Sequence, residues 1–350
     1  MDSVEKKEFR DNSFSFIRYI AAFAVMIGHY LTYAIAPFET SQIYSSVPCG
    51  EYVLGTIGSL FAAVRGVPMF FGMSAFLICA SIERSTSFYD YFRKRCIRIY
   101  PELWISTFLN AFIVCLFGYF NKDLIIWIIL QGVGLAYTPA TYDCYASGSL
   151  NGAMWTIAVL VQMYVVLYFS YKKMRAMSNY GWLIVFIMSI AVNITFDLYD
   201  NRLFNILGRT FIPYYLWFAV GIFIYCHFNT MLPWLKKHCI KLCLVYFVYY
   251  IFNKFSGVHI PGYYCSAIGG ILLPMVTIAV AYRFKDLKVK TDITYQIYLY
   301  HWIIINIFIE TNIFEKLNWV SCLLAYLIIT CIVSYVSSLL YTRIFQRMLR

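Results

Sequence analysis

An arginine and a histidine share one apolar stretch near the start of the chain. Arg18 and His29 both lie within residues 14–36, which carry no other charged side chain. At 100° per residue, their eleven-residue spacing is three helical turns plus about 20°, so both would lie on one helix face about 16 Å apart. Because an ionisable group in hydrocarbon is costly, the pair is the first candidate for function, with an imidazole that can take up a proton near neutral pH and a permanently charged guanidinium. The alternative is a snorkelling arginine and a hydrogen-bonded structural histidine.

A second concentration of positive charge lies at residues 93–98, one residue before a Tyr-Pro pair. Arg95 and Arg98 are three residues apart, so in a helix both guanidinium groups face the same way and can bind phosphate groups, with Arg93 beside them. The alternative is an ordinary cytoplasmic anchor for a membrane helix. Charge alone favours neither interpretation.

The elements that carry these residues must lie in a lipid bilayer. Hydrophobic residues make up 61% of the 350 residues and charged residues only 13%, against about 25% charged in soluble domains. No soluble fold of this size can bury so much apolar surface. The net charge of +11 is concentrated in short clusters between apolar stretches, which is typical of membrane loops and not of a nucleic-acid-binding surface.

We predict an all-α polytopic membrane bundle of about ten transmembrane helices, forming a single integral membrane domain over residues 1–350 with no soluble extension. The expected spans are residues 14–36, 58–80, 101–120, 153–171, 180–196, 209–227, 239–253, 264–282, 293–311 and 319–341. Residues 122–136 are too short for a confident span and are interpreted as a re-entrant or interfacial segment.

Most of the 28 Lys and Arg residues fall in loops on one side of this arrangement. By the positive-inside rule that side is the cytoplasm, and both termini are expected there. The opposite side receives only four bases, namely Lys122, Arg202, Lys254 and Lys316.

Cysteine and histidine spacing gives little further chemistry. The eleven cysteines are scattered, although Cys49 and Cys144 fall toward the outside and could form one disulfide. His227, His238 and His259 have no ligand spacing, so no metal site is expected.

Five segments together resemble the acyltransferase-3 family of integral membrane acyltransferases, many of which O-acetylate bacterial surface polysaccharides. They are residues 16–29 (FIRYIAA to GH), 70–78 (FFGMSAFLI), 95–101 (RCIRIYP), 155–164 (WT to QMY) and 295–302 (YQIYLYHW). The resemblance covers almost the whole chain. It departs from the common pattern at Ala75, where many members have glycine, and at Leu160-Val161, where many have a glutamate pair.

The resemblance implies a membrane-bound O-acyltransferase in which His29 and Arg18 are the functional pair and Arg95, Arg98 and Arg93 bind coenzyme A. It implies transfer of an acyl group from cytosolic acyl-CoA to a hydroxyl of a surface or exopolysaccharide sugar or its lipid-linked precursor. The expected acyl group is acetyl, with acetyl-CoA as the donor. The expected location is the bacterial inner membrane, and the expected partners are acyl-CoA, a glycan or glycolipid and the bilayer.

Six further residues are weaker site candidates, because packing, a hydrogen bond or an ion pair explains each one at least as well; for Glu102 an interfacial ion pair is favoured. They are Glu102, Ser74, Tyr298, His301, Trp155 and Gln162.

Other activities remain as alternatives. Buried charges in a polytopic bundle also suit a secondary transporter, although the apolar pattern has no evident inverted repeat with paired broken helices. Within the family, the alternatives are a succinyltransferase or an acyltransferase that acts on a small-molecule acceptor.

Overall fold

The chain is described by a computed structural model over residues 3–34, 58, 63–287 and 289–345, and all regular secondary structure of these residues is helical. The helices are α1 (Ser3–Arg10), α2 (Phe14–Ala34), α3 (Gly66–Glu83), α4 (Phe88–Leu116), α5 (Lys122–Gly132), α6 (Trp155–Arg175), α7 (Asn179–Leu198), α8 (Arg202–Leu207), α9 (Tyr215–Cys226), α10 (Phe228–Phe255), α11 (Ala267–Arg283), α12 (Thr294–Glu310), α13 (Ile313–Lys316) and α14 (Trp319–Phe345). Short 3₁₀ turns lie at Ala140–Tyr142 and Ile212–Tyr214.

The polytopic helical class is confirmed, but the predicted count of ten spans is not. Six helical segments of the described residues are long and apolar enough to cross a bilayer, or seven if one bent pair is a single span. Helices α11 and α12 have 17 residues each, and at 1.5 Å per residue they measure about 26 Å, at the lower limit for a hydrocarbon core of about 30 Å. Most of residues 58–62, where the second span was predicted to begin, lie outside the described residues.

The predicted cytoplasmic loop between residues 227 and 239 is helical, which corrects the sequence interpretation. Residues 212–226 meet α10 at a bend of 107°, and α10 begins at Phe228. Lys236, Lys237 and Lys241 therefore lie inside a helix. Lysine ends an apolar stretch but is a good helix former, so the end of the hydrophobic pattern was not the end of the helix.

Helix α5 is too short to cross a membrane. Its 11 residues span about 16 Å, and it begins where the Asn121 side chain accepts a hydrogen bond from the Asp123 N–H at 2.8 Å. This is the length expected of a re-entrant or interfacial segment.

One compact unit comprises Met1–Ala21, Arg65–Phe92 and Val159–Lys290. Within it α3 packs against α9 and α11. A Cβ on Gly221 would overlap the Gly72 carbonyl oxygen, and a Cβ on Gly72 would lie 2.6 Å from the Pro274 Cβ. The lack of a side chain at Gly72 of the 70–78 motif and at Gly221 is therefore required for the close packing of α3 against α9 and α11.

The other compact unit comprises Ala22–Val64, Arg93–Ala158 and Thr291–Arg350. Within it α12 packs against α14. The Tyr326 hydroxyl of α14 donates to the Met26 carbonyl of α2 at 3.3 Å, and the ring of Tyr326 stacks on that of Tyr30 with centroids 5.3 Å apart. These contacts fix the second half of α2, which carries His29.

Candidate active site

Two histidines from distant parts of the sequence form a hydrogen-bonded pair. Nδ1 of His29 in α2 lies 2.8 Å from Nε2 of His301 in α12, and the two rings are nearly parallel, with an interplanar angle of 4°. His301 is completely buried, whereas His29 is partly exposed. Of the two imidazoles, His29 is the one with exposed surface.

Trp302 contacts the His29 ring from a second side. The ring centroids are 4.6 Å apart and the rings meet edge to face at 74°, while Tyr33 packs on the same indole at 5.2 Å. The Trp302 Nε1–H donates to the Ser147 hydroxyl at 3.1 Å and to the Ser149 carbonyl at 3.2 Å. The sequence reasoning did not select Trp302, although its place directly after His301 was a usable signal.

The loop of residues 146–153 is docked along one face of α12. Four side chains hydrogen-bond to it, namely Tyr298 to the Ala153 carbonyl, Trp302 as described, Asn306 to the Ser149 and Leu150 carbonyls, and Glu310 to the Ala146 N–H. Their spacing of four residues places them on one face of the helix. The sequence reasoning named Tyr298 but missed Asn306 and Glu310. Their four-residue spacing indicates a binding face only when the loop that they bind is known.

The loop also connects to α6 through the Trp-Thr pair of the family resemblance. The Thr156 hydroxyl donates to the Tyr298 hydroxyl at 2.7 Å, and Trp155 is partly buried beside it. Tyr298 therefore joins two of the predicted motifs through one hydroxyl group. Its role in the structure is to bind the loop and α6 to α12.

Tyr145 lies in the same loop region and is fully buried. Burial, together with the Glu310 carboxylate and Tyr119 nearby, raises the pKa of the Tyr145 phenol above its ordinary value. The phenol is therefore neutral at physiological pH and acts as part of the apolar packing around the loop.

The arginine cluster lies on a continuous helix. Residues 93–98 are all inside α4, so Arg95 and Arg98 are one turn apart. Arg93 and Arg98 are exposed, and Arg95 is partly buried. The condition for two guanidinium groups to face the same way is met.

Pro101 explains how this helix is supported just beyond the arginines. Proline has no N–H, so inside α4 it leaves the carbonyl of Ile97 without its helical donor. The Tyr341 hydroxyl of α14 donates to that carbonyl at 3.2 Å. The Tyr295 hydroxyl of α12 donates to the Ile99 carbonyl at 3.1 Å. Two tyrosines thus bind the arginine-bearing segment to the helices that surround it.

Glu102 is buried, and its partners differ from the interfacial ion pair that the sequence favours. It is 1% exposed and accepts hydrogen bonds from the Gln296 amide at 3.0 Å and from the Ser337 hydroxyl at 2.7 Å. The Tyr300 hydroxyl lies 2.9 Å from the Ser337 oxygen. Because a buried carboxylate must be hydrogen-bonded to be tolerated, this network makes Glu102 a connection between α4, α12 and α14.

Arg18, Ser74 and Gln162 belong to the first compact unit. Arg18 is partly buried in α2, on the same continuous helix as His29. Ser74 is partly buried in α3. The Gln162 side chain accepts a hydrogen bond from the Phe211 N–H at 3.0 Å.

The structure gives no support for a metal or disulfide centre within the part of the chain that it describes. In that part no group of three or more His, Cys, Asp or Glu side chains lies close enough to hold a metal ion. Cys144 is a free, exposed thiol. Cys49, its predicted partner, lies outside the described residues.

Comparisons with known proteins agree with the family resemblance of the five sequence segments. The family model described as an acyltransferase domain matches residues 11–340. The chain is similar to "Nodulation protein 10" of Rhizobium leguminosarum bv. viciae, with 25% identity over 84% of this chain and 83% of the relative. It is also similar to "O-acetyl transferase" of Shigella phage Sf6, with 23% identity over 55% of each chain. No solved structure matches the chain significantly. With the match covering nearly its whole length, the chain belongs to the acyltransferase-3 family of integral membrane acyltransferases.

Proposed function

We propose that this protein transfers an acyl group from cytosolic acyl-CoA to a hydroxyl of a surface or exopolysaccharide sugar or its lipid-linked precursor. Acetyl is the acyl group that we assign. His29 is the general base that takes the proton of that hydroxyl. The observation that carries the proposal is the partly exposed His29 ring, held by buried His301 at 2.8 Å and by Trp302 at 4.6 Å. A proton acceptor held in one orientation is what acyl transfer to a hydroxyl requires.

The donor end of the reaction is assigned to the arginine cluster. Arg95 and Arg98 lie one turn apart on α4, with Arg93 and Arg98 exposed, and guanidinium pairs bind phosphates bidentately. Coenzyme A carries its phosphates at the end remote from the thioester. Phosphates bound at this cluster leave the flexible pantetheine arm to carry the thioester toward His29. Arg18, on the same helix as His29, is the predicted functional partner of that histidine.

Space along the turn of α2 that carries His29 also supports a substrate path. A Cβ built on Gly28 meets no atom of the described residues within 4 Å. A glycine inside a helix lowers helix stability by about 1 kcal/mol relative to alanine. Its presence one residue before the base, where no described residue fills the space, supports an acyl chain or an acceptor passing along α2.

An acetylated sugar as product draws support from the printed name of the phage relative, "O-acetyl transferase". We assign the protein to the bacterial inner membrane with both termini in the cytoplasm, because its bases cluster on one side of the spans. This orientation puts the arginine cluster on the side where acyl-CoA is made.

The test is mass analysis of surface glycans from cells with the protein, without it, and with His29→Gln. An acyl mass added to a sugar only in the first sample supports the proposal, and its size distinguishes acetyl from succinyl. An unchanged glycan in all three, with a modified small molecule in the medium, would move the acceptor to the small-molecule alternative.

The same experiment distinguishes an acyltransferase from a transporter, because transport adds no covalent mass to a glycan. Inverted-repeat transporters place broken helices at corresponding positions of both halves. In the described residues one bent pair is found, at residues 212–226 and α10. The helical pattern therefore favours the enzyme.

A further inference from the structure

We propose that His301 fixes the tautomer of His29, so that Nδ1 of His29 carries the proton and Nε2 is the atom that accepts a proton from the acceptor hydroxyl. This proposal rests on the proposed function for its chemistry, but its structural statement can be measured independently. His301 is in this sense a positioning residue, since it acts through His29.

A backbone carbonyl determines which ring nitrogen of His301 carries the hydrogen. Nδ1 of His301 lies 3.1 Å from the carbonyl oxygen of Ile297, one turn earlier in α12. A carbonyl oxygen only accepts hydrogen bonds, so Nδ1 of His301 carries a hydrogen. A neutral imidazole has a single N–H, and Nε2 of His301 is therefore an acceptor.

The tautomer of His301 determines the tautomer of His29. Nε2 of His301 is 2.8 Å from Nδ1 of His29. Because the His301 nitrogen accepts, the His29 nitrogen donates, and Nδ1 of His29 carries the hydrogen of that ring. Its Nε2 then has a free lone pair.

Burial favours this direction of the hydrogen bonds over the reverse. In the reverse arrangement His301 would be an imidazolium that donates from both nitrogens, and it would be charged at a site that is 0% exposed. Burying a charged ring is far less favourable than burying a neutral one. The neutral ring with its Ile297 contact is the arrangement that the geometry supports.

Orientation matters as much as tautomer, and it is fixed from the other side. The edge-to-face contact with Trp302 at 74° limits rotation of the His29 ring. Trp302 is itself held by its Nε1–H bonds to Ser147 and Ser149. The lone pair of His29 Nε2 therefore has one direction.

As the acceptor oxygen attacks the thioester carbon, its proton moves to Nε2 of His29 and the new C–O bond forms. The C–S bond then breaks, and the same proton passes from His29 to the coenzyme A sulfur. While His29 is positively charged, its Nδ1–H bond to His301 becomes charge-assisted and stronger. His301 thus supports the base as the third group of a catalytic triad does.

The experiment combines ring-nitrogen NMR with kinetics on the purified full-length protein in detergent. The chain has 5 histidines, so selective ¹⁵N-histidine labelling gives few signals, and loss of a signal in His29→Gln assigns that residue. We expect His29 to be protonated at Nδ1 and not at Nε2 at neutral pH. A wild-type spectrum with His29 protonated at Nε2 would overturn the proposal, whether or not any variant folds.

Two variants separate positioning from packing. His301→Leu removes the acceptor, so we expect the His29 signal to become a mixture of tautomers and kcat to fall about 10²-fold, with KM little changed. His301→Gln offers an amide oxygen near the position of Nε2, so it should keep the tautomer and retain kcat within about tenfold. Equal activity of the Leu variant and the wild type, or equal losses in both variants with the tautomer unchanged, would overturn the assignment.

His227 supplies the matched control. Its Nδ1 lies 3.1 Å from the carbonyl of Phe223, which is the same contact with the preceding turn that His301 makes. His227→Leu should leave both kcat and the His29 spectrum unchanged. If no acyl transfer to a glycan is found, the spectra still test the tautomer, so the two proposals fail separately.

Discussion

Trp302 occupies the space that any side chain at residue 152 would need. A Cβ built on Gly152 would overlap the six-membered ring of the indole. The indole in turn contacts His29. The absence of a side chain at one loop position is thus linked to the position of the candidate base.

Gly152→Ala is expected to displace the indole and to lower acyl transfer several-fold, although His29 is unaltered. Overpacking of this kind also lowers the free energy of unfolding, by about 1–3 kcal/mol. Thermal unfolding and kcat of the purified variant measure the two effects. Gly28→Ala is the stability control, because its Cβ meets no described atom within 4 Å, and it should be neutral or stabilising. Unchanged kcat and stability in Gly152→Ala would show that the contact is not a constraint.

Replacing His29 tests the general base. His29→Ala should leave inserted protein with activity 10²- to 10⁴-fold lower, the usual loss when a positioned base is removed. His29→Gln keeps a hydrogen-bonding group of similar shape but takes no proton, so a histidine used for packing would tolerate it. Glycan acylation by the Gln variant at the wild-type rate would assign the base elsewhere.

Replacing Arg95 and Arg98 together tests the donor site. The double Gln variant should insert normally, because Arg93 and Lys94 still supply positive charge to the same segment, but it should lose acyl-CoA-dependent activity. The double Lys variant should retain part of the activity, because lysine supplies a charge without the planar fork. Binding of radiolabelled acyl-CoA separates loss of affinity from loss of turnover. Normal binding by the Gln variant would identify the cluster as an anchor.

The predicted topology can be tested with a native thiol. Cys144 is exposed in the 137–152 loop, which we expect to face away from the cytoplasm. In a variant that retains Cys144 alone among the cysteines, a membrane-impermeant maleimide should label intact cells, while a reporter fused after residue 350 should give a cytoplasmic signal. Labelling only after the cells are opened would show that the loop faces the cytoplasm and would contradict the predicted topology.

Local features were predictable from the sequence, and long-range pairing was not. The helical spacing of Arg95 and Arg98 follows from the period of a single helix, and α4 contains both. The position of Arg18 and His29 on one helix follows in the same way. Neither needed knowledge of a neighbouring element.

The partner of His29 could not be derived, because nothing local in the sequence indicates that residues 272 positions apart meet. Glu102 shows the same limit. A carboxylate next to an arginine cluster predicts an ion pair, but its neighbours Gln296 and Ser337 come from helices far along the chain. The start of α10 was misjudged for another reason, since hydropathy detects the end of an apolar stretch and not the end of a helix.

The separation of 272 residues between His29 and His301 has a consequence for biosynthesis. At translation rates of 5–20 residues per second, α2 leaves the ribosome on the order of half a minute before α12 exists. Throughout that interval the imidazole of His29 lacks its partner, and the loop of residues 146–153, once made, lacks the helix face that binds it. Nascent and prematurely terminated chains therefore lack the paired imidazoles until the last sixth of the protein has been made.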